Sequence, residues 1–474
     1  MHTRGRRAER GWKAGCGPFS GWNCCGHRLA PRVVWLVLAA ATCTISLNFV
    51  TRWSPYRTWS LRSLAPRPGI SPRGAPSGRP QPLLVPRKEG PQWWDARNSA
   101  SPVVKPPSQA GGPWRMWYYG RAGAEWSKGL KAFLPTGRIG CAESDDGLKW
   151  RRRKGPLEGG ACLDPSEEGF DCVHVGVGDV VELPNGTLWM YYFGGGLDGL
   201  PNEGIRMQIG CLEAPDRCLA TSDDGLTWHR AGDALLTPSG EDFDALFVAW
   251  PRVLPPWQTR DVLGLSGKWY MTYHTAQFGP EGLRWTAGAA LSEDGLVWSK
   301  VGPILGPSGG GWDALGVGVR HVLVKDGALT MLYEAVDEQG DHAVGLAVSS
   351  DGLTWRRQEV PGRAAGGPVL RKGEDGDWDS RVVGTPYAVA PVGDAPWRLY
   401  YVGEAKGSPG LRIGVAECYE DDLLCWRKRG AEAMDLPKDA REGLYKRVFE
   451  DAQKSKVAAA PSSPPPALDL DLPD

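Results

Sequence analysis

The chain has 474 residues, with 64 glycines, 40 prolines and 23 tryptophans, and its Lys/Arg and Asp/Glu totals balance at 55 each. That length admits one large domain or two to three ordinary ones, and the Gly/Pro-rich composition reads as many short strands joined by tight turns. The balance hides an asymmetry: residues 1–88 hold 15 Lys and Arg against one acid, Glu9 (+14), while the rest holds 40 bases against 54 acids (−14). An acidic body excludes nucleic acid as the partner, because phosphate binding needs a basic face.

The basic N-terminus contains an 18-residue apolar run, "VVWLVLAAATCTISLNFV" (33–50), flanked by Arg28, Arg32 and Arg52. It predicts a helix that is either a long signal-peptide core or a signal anchor, attached to the membrane if uncleaved. Residues 51–90, rich in Arg, Pro and Ser, read as a disordered stem or as a plastid-transit-like segment. Residues 1–90 are therefore expected to be a targeting region outside the folded domain. The expected location is membrane or secretory pathway, with the plastid, reached by a bipartite leader, as the alternative.

From residue 93 onward one pattern recurs. An aromatic–Asp pair leads an apolar strand at Asp95, Asp171, Asp244, Asp313 and Asp379, with spacings of 76, 73, 69 and 66 residues. An aromatic strand follows: "WRMWYYG" at 114, "LWMYYFG" at 188, "WYMTYHT" at 269, "LTMLYEA" at 329 and "WRLYYVG" at 397. A third strand then runs into a DG turn and a tryptophan: "ESDDGLKW" at 143, "TSDDGLTW" at 221, "LSEDGLVW" at 291 and "SSDGLTW" at 349. A fifth copy, "ECYEDDLLCW" at 417, has lost the glycine. Each unit thus predicts four strands, with Ser and Asp side chains bonding turn amides and the Trp wedged between neighbours. Four-stranded units at a regular period are the signature of propeller blades, so the expected fold is all-β, a five-bladed β-propeller over 91–430. Its blades are placed near 93–155, 168–232, 241–303, 311–360 and 376–430. Residues 431–474 read as one amphipathic helix and a Pro-rich acidic tail.

With these units laid out, the chain resembles the five-bladed propeller superfamily of arabinanases, levansucrases and invertases, the glycoside hydrolase family 43-like group. The resemblance covers about residues 90–430 and rests on the repeat, the "YY.G" strands and the SxDGLxW turns. It implies a carbohydrate-active enzyme with carboxylates converging at one mouth of a central channel, supplied by the innermost strands. It also implies an Asp-Pro pair on those strands. Here Ser101-Pro102, Val177-Gly178, Trp250-Pro251, Val319-Arg320 and Thr385-Pro386 stand at those positions.

The remaining candidates come from side chains that break the apolar pattern. Asp179 and Glu334 form the candidate acid/base pair, with Asp95 and Asp171 as substitutes. The five repeated aspartates read otherwise as caps for the turn entering each inner strand. Trp250, Arg252, Arg320, His321, His174 and His274 are candidate substrate contacts. The two arginines are expected to face a wet channel, since a buried guanidinium needs a partner. The expected partner is an oligo- or polysaccharide and the expected state a monomer. No cofactor is called for, though a calcium ion or water fits the reading of the central channel. The competing function is a non-catalytic propeller that binds a glycan or protein.

Eleven cysteines include no CxxC pair, which disfavours zinc; Cys418/Cys425 and Cys211/Cys218 are candidate bridges. "NGT" at 185–187 is a glycosylation sequon in a hairpin turn. The leader carries its own test. A tagged full-length protein is expected to fractionate with membranes or enter the lumen, and an uncleaved, soluble cytosolic product would overturn that assignment.

Overall fold

The computed structural model describes residues 80–84, 94–109, 111–122, 136–196, 207–213, 225–230, 234–240, 242–279, 282–358, 360 and 367–429. The apolar run 33–50, most of the stem, and the C-terminal helix and tail lie outside these residues, as does Cys218. Among the described residues the structure is almost wholly β. A first antiparallel unit comprises β1 (Asn98–Lys105), β2 (Trp114–Arg121), β3 (Arg138–Ser144) and β4 (Arg151–Arg152). A second comprises β5 (His174–Glu182), β6 (Leu188–Gly195), β7 (Met207–Glu213) and β8 (His229–Arg230). The third holds β9 (Phe247–Leu254), the short helix α1 (Pro256–Thr259), β10 (Trp269–Gly279), β11 (Gly282–Ser292) and β12 (Ser299–Leu305). The fourth holds β13 (Gly316–Lys325), β14 (Ala328–Val336), β15 (His342–Ser349) and β16 (Arg356–Arg357), with β17 (Leu370–Arg371) also paired to β15. The last comprises β18 (Val382–Val389), β19 (Trp397–Ala405), β20 (Ser408–Cys418) and β21 (Arg427–Lys428). A parallel pairing of Trp285 with Gly316 joins the third and fourth units into one sheet.

Each repeated aspartate is a buried internal staple. Asp95 accepts from Tyr118 Oη at 2.9 Å and from Arg152 Nε at 2.7 Å, joining the turn that leads into the first strand to the second and fourth strands of its unit. Asp171 does the same with Tyr192 at 2.9 Å and Arg230 at 2.7 Å. Asp244 pairs with Lys300 at 2.5 Å, Asp313 with Arg357 at 2.6 Å, and Asp379 with Tyr401 at 2.9 Å and Lys428 at 2.6 Å. The base on the short outer strand is the common element, which a turn-cap reading of these aspartates did not include. Breaking such a buried pair costs about 3–5 kcal/mol, so the acid recurs because every unit needs it.

The DG turns behave as their sequence predicts. Ser144 Oγ accepts from Gly147 N at 2.9 Å, and Asp146 Oδ1 accepts from Leu148 N and Lys149 N, both at 2.8 Å. The same bonds recur around Ser292/Asp294 and Ser349/Asp351. The turn glycine is left-handed, with φ of 72° at Gly147, and its carbonyl takes two donors. One is the tryptophan of the same turn, Trp150 Nε1 at 3.2 Å; the other is Tyr400 Oη of the last unit, at 2.8 Å. Likewise Trp117 donates to Gly225 O at 2.8 Å, Tyr191 to Gly295 O at 3.0 Å, and Tyr270 to Gly352 O at 2.6 Å. Each of these turns therefore docks on the aromatic strand of the unit before it, and the first turn docks on the last unit, closing the cycle. The glycine-less fifth turn places Leu423 at a φ of 60° instead.

The structure moves one boundary. Residues 81–84 belong to the folded body and not to the leader. Leu83 N and Leu84 N donate to Ile413 O at 2.7 and 3.1 Å, Ile413 N returns a bond to Leu84 O at 3.0 Å, and Gln81 N reaches Arg429 O at 3.2 Å. Leu84 is the register counterpart of Leu163 on Ile139 and Leu236 on Ile209, which come from the segments leaving the first and second units. The last unit has no following unit to supply this segment, so the residues preceding the first unit supply it. The Cys418/Cys425 bridge does not form, and both are free thiols.

Leu84 is buried in the same core as Leu163. Leu84→Ala and Leu163→Ala are accordingly each expected to lower unfolding stability by about 2–4 kcal/mol. A urea midpoint unchanged by Leu84→Ala would show that residues 80–84 lie outside the cooperative fold.

Candidate functional site

The inner strands β1, β5, β9, β13 and β18 neighbour one another in a closed cycle around an axis. Each is broken by a bulge, between Ala100 and Val103, Val177 and Asp179, Ala249 and Arg252, Val317 and Arg320, and Gly384 and Tyr387. At three bulges a non-glycine residue is left-handed and precedes a proline: Ser101 (φ 51°), Trp250 (φ 47°) and Thr385 (φ 43°). Such a conformation costs about 1–2 kcal/mol and re-aims a side chain out of the strand's alternation. Trp250 Nε1 accordingly reaches across to Ser101 Oγ at 3.1 Å.

Small residues stand at or next to the bulges: Ala100, Gly176, Ala249, Gly318 and Gly384. That smallness lets the second strands lean inward. A Cβ on Gly176 would lie 2.3 Å from Phe193 Cζ, and one on Gly384 would lie 2.5 Å from Glu334 Cδ. The result is a continuous arc of rings at this mouth. His174 lies 5.4 Å from Tyr119 and 5.5 Å from Phe193; Phe193 lies 4.4 Å from Trp250, and Trp250 5.7 Å from His274. His274 lies 5.5 Å from Trp285, and Trp285 6.1 Å from His342. The arc ends on Glu334, whose Oε1 is 2.7 Å from His342 Nδ1 and whose Oε2 accepts from Thr385 N at 2.8 Å. Beside His342 opens a polar cleft of about 400 Å³, lined by Trp312, Asp341, Lys372, Ser380 and Lys406 among others.

Past the bulges lies a different layer. Val103, Asp179, Arg252, His321 and Tyr387 are register equivalents, each opposite the residue before the conserved tyrosine position of its second strand. Asp179 is buried. Its Oδ1 accepts from Val180 N at 2.9 Å and Tyr387 Oη at 3.3 Å, and its Oδ2 accepts from Val253 N at 3.0 Å. Lys105 Nζ sits 3.7 Å from it; burial pulls the lysine pKa down, but Tyr387 and Asp179 outweigh burial and hold it above its usual value. Arg252 lies over the Tyr387 ring at 5.1 Å, and the His321 and Tyr387 rings are 4.0 Å apart.

The candidates thus divide. His174, Trp250, His274 and Glu334 gather at the mouth. Asp179, Arg252 and His321 gather in the deeper layer, so Asp179 and Glu334 stand on opposite sides of the bulges and share no partner. Asp95 and Asp171 are committed to their staples. The expectation of arginines facing a wet channel is corrected: Arg252 and Arg320 are 1% and 0% exposed and donate to backbone carbonyls. Sequence reasoning missed Trp285, His342 and the Thr385 amide. His342 was legible, since it is the diagonal neighbour of Glu334 across the β14–β15 hairpin, on the same face.

No protein-family model and no curated relative matches the chain. Solved structures do. A glycoside hydrolase matches at 18% identity, over 71% of this chain and 91% of its own, with a TM-score of 0.51. A glycosyl hydrolase from Bacteroides ovatus matches at 16% identity, over 75% and 95% of the two chains, with a TM-score of 0.50. The BT0996 RGII complex is 17% identical over 72% and 92%, with a TM-score of 0.53. This protein shares the fold of these solved structures, two of them glycoside hydrolases, a propeller-type all-β architecture.

Two mouth and floor histidines set a pH dependence. Burial, then Arg320, lowers the His274 pKa to about 3, and burial, then Arg252 and Lys105, holds His321 well below its ordinary value. Both ionise near 6.5 when unfolded, so the unfolded polypeptide takes up more protons below that pH. Stability is fully present above about pH 6.5 and is lost as pH falls from there toward 3. The urea midpoint is expected to drop between pH 7 and 5, and His274→Gln should reduce the proton uptake on unfolding at pH 5 by about one. A midpoint flat across that range would refute the neutral, buried assignment.

Proposed function

We propose that the protein is a carbohydrate-active, glycoside-hydrolase-type propeller of five blades, one per four-stranded unit, that binds an oligo- or polysaccharide at the Glu334 mouth. The observation that carries this reading is a carboxylate, pinned by His342 and the Thr385 amide, at the end of an arc of aromatic rings beside a cleft of about 400 Å³. Aromatic faces stack on sugar rings, and a fixed carboxylate is the group that glycosidic bond chemistry requires as acid or base. Trp250, Trp285 and His342 are the partly exposed members of the arc and the proposed sugar contacts. Asp179 is proposed to hold the deeper layer together instead of acting on substrate, because both its oxygens are taken. The protein is proposed to act as a monomer delivered through the secretory pathway by residues 1–79.

A second reading, glycan binding without hydrolysis, has its own observation. The bulge positions, where the resembling enzymes carry an acid, hold Ser101, Val177, Trp250, Val319 and Thr385. The test is a screen of the full-length protein against aryl glycosides and polysaccharides, followed by two substitutions. Glu334→Gln should lower the rate about 10²-fold or more on the best substrate, while Asp179→Asn should lower stability and leave the rate of the folded protein near wild type. Full activity in Glu334→Gln would remove Glu334 from the reaction. Saccharide binding without turnover, weakened by Glu334→Gln, selects the second reading.

A further inference from the structure

The layer beyond the bulges concentrates positive charge, two of its cations being fully buried. Arg252 and Arg320 are among the largest fully buried side chains of the protein. Their partners are neutral. Arg252 Nε donates to Arg320 O at 2.9 Å and its Nη1 to Gly178 O, while Arg320 donates to Trp250 O at 2.5 Å, Thr272 Oγ1 at 3.2 Å and Gly318 O at 3.3 Å. Guanidinium does not lose its proton in proteins, so both charges persist. Among the described residues the carboxylate of this layer is Asp179, which is already faced by the Lys105 ammonium at 3.7 Å. Two buried guanidiniums and one partly exposed ammonium therefore stand against one buried carboxylate, an arrangement that costs several kcal/mol unless something compensates it. Burial, and then the charge of Arg252, push the Arg320 pKa below the ordinary arginine value.

One donor of this layer is left over. Arg252 Nη2 is buried and has no hydrogen-bond partner. His321 adds a second donor, because its Nδ1 accepts from Ala388 N at 3.2 Å, which leaves the proton of the neutral ring on Nε2. Lys105 supplies a third on the more exposed side. Calcium, which the sequence left room for, does not fit: it takes six to eight oxygen ligands, and the oxygens of Asp179 are committed to Val180 N, Val253 N and Tyr387 Oη. A set of donors with surplus positive charge selects the opposite ion.

We propose that the floor of the central channel is a binding site for a small inorganic anion of chloride size, held by Arg252 Nη2 with Lys105 and His321 around it. The anion neutralises the buried guanidinium pair and so belongs to the stability of the fold, separate from the saccharide mouth. Bromide is the probe. Thermal unfolding of the full-length protein in sodium bromide, against sodium methanesulfonate at the same ionic strength, should show a saturable rise of about 2–4 °C at millimolar bromide. Arg252→Met should abolish the bromide dependence, and Lys105→Met, at a partly exposed position, should weaken the apparent bromide affinity roughly tenfold. Should Arg252→Met fail to fold, the Lys105 variant and an anomalous bromide peak beside Arg252 in wild-type crystals decide. Equal midpoints in the two salts with no such peak overturn the proposal, as does a saturable stabilisation by calcium methanesulfonate that EDTA reverses.

Discussion

A single carbonyl oxygen in each of four turns joins one unit to the unit before it. The left-handed glycines Gly147, Gly295 and Gly352 each present their carbonyl at once to the tryptophan of their own turn and to an aromatic donor of the preceding unit, as Gly147 does with Trp150 and Tyr400, while Gly225 O takes Trp117 of the preceding unit. The conformation needs glycine for two reasons. Its φ is positive, and a Cβ on Gly147 would lie 2.5 Å from Arg398 Nη1 and 2.9 Å from Tyr400 Oη. The box written repeatedly into the sequence is thus an inter-unit joint, and the buried Asp–Arg or Asp–Lys staple is its counterpart within the unit. The first device sets where units meet; the second keeps each short outer strand on its sheet.

Once the units are locked, the axis is forced into layers. Inner strands that meet around an axis cannot all carry bulky groups at the same height. Here the small residues Ala100, Gly176, Ala249, Gly318 and Gly384 lie at or above the bulges, and Val103, Asp179, Arg252, His321 and Tyr387 below. The upper layer yields its space to Phe193, His274 and Glu334 from the second strands. The lower layer carries large side chains on the inner strands themselves, among them Arg252, His321 and Tyr387. Mouth and floor are therefore chemically opposed. One end offers a carboxylate among rings, and the other offers buried guanidinium groups.

This separation explains why a site search by residue type misleads in a repeat fold. Asp95 and Asp171 are as buried as any catalytic candidate, yet each is spent on an arginine and a tyrosine of its own unit. Asp179 breaks the apolar pattern of β5 because it must receive the amides of Val180 and Val253, one from its own strand and one from the next unit. Glu334 differs from these in having its partners, His342 and the Thr385 amide, at the open end.

The period of the Asp-led strands, the alternation of the aromatic strands and the Gly-containing turns were enough to determine the strand order within each unit, because these are local constraints of backbone and hairpin geometry. The turn bonds of Ser144 and Asp146 followed from the same local chemistry. Tertiary structure alone decided three things. That Leu84 completes the last unit depends on cycle closure, which brings together residues more than 300 positions apart and leaves no periodic trace. Whether Arg252 and Arg320 face water depends on which backbone carbonyls neighbouring units aim at them, and a strand's own pattern does not record that. The division of Asp179 from Glu334 depends on the bulges, because one extra residue shifts a side chain from one layer of the axis to another while leaving the sequence spacing almost unchanged.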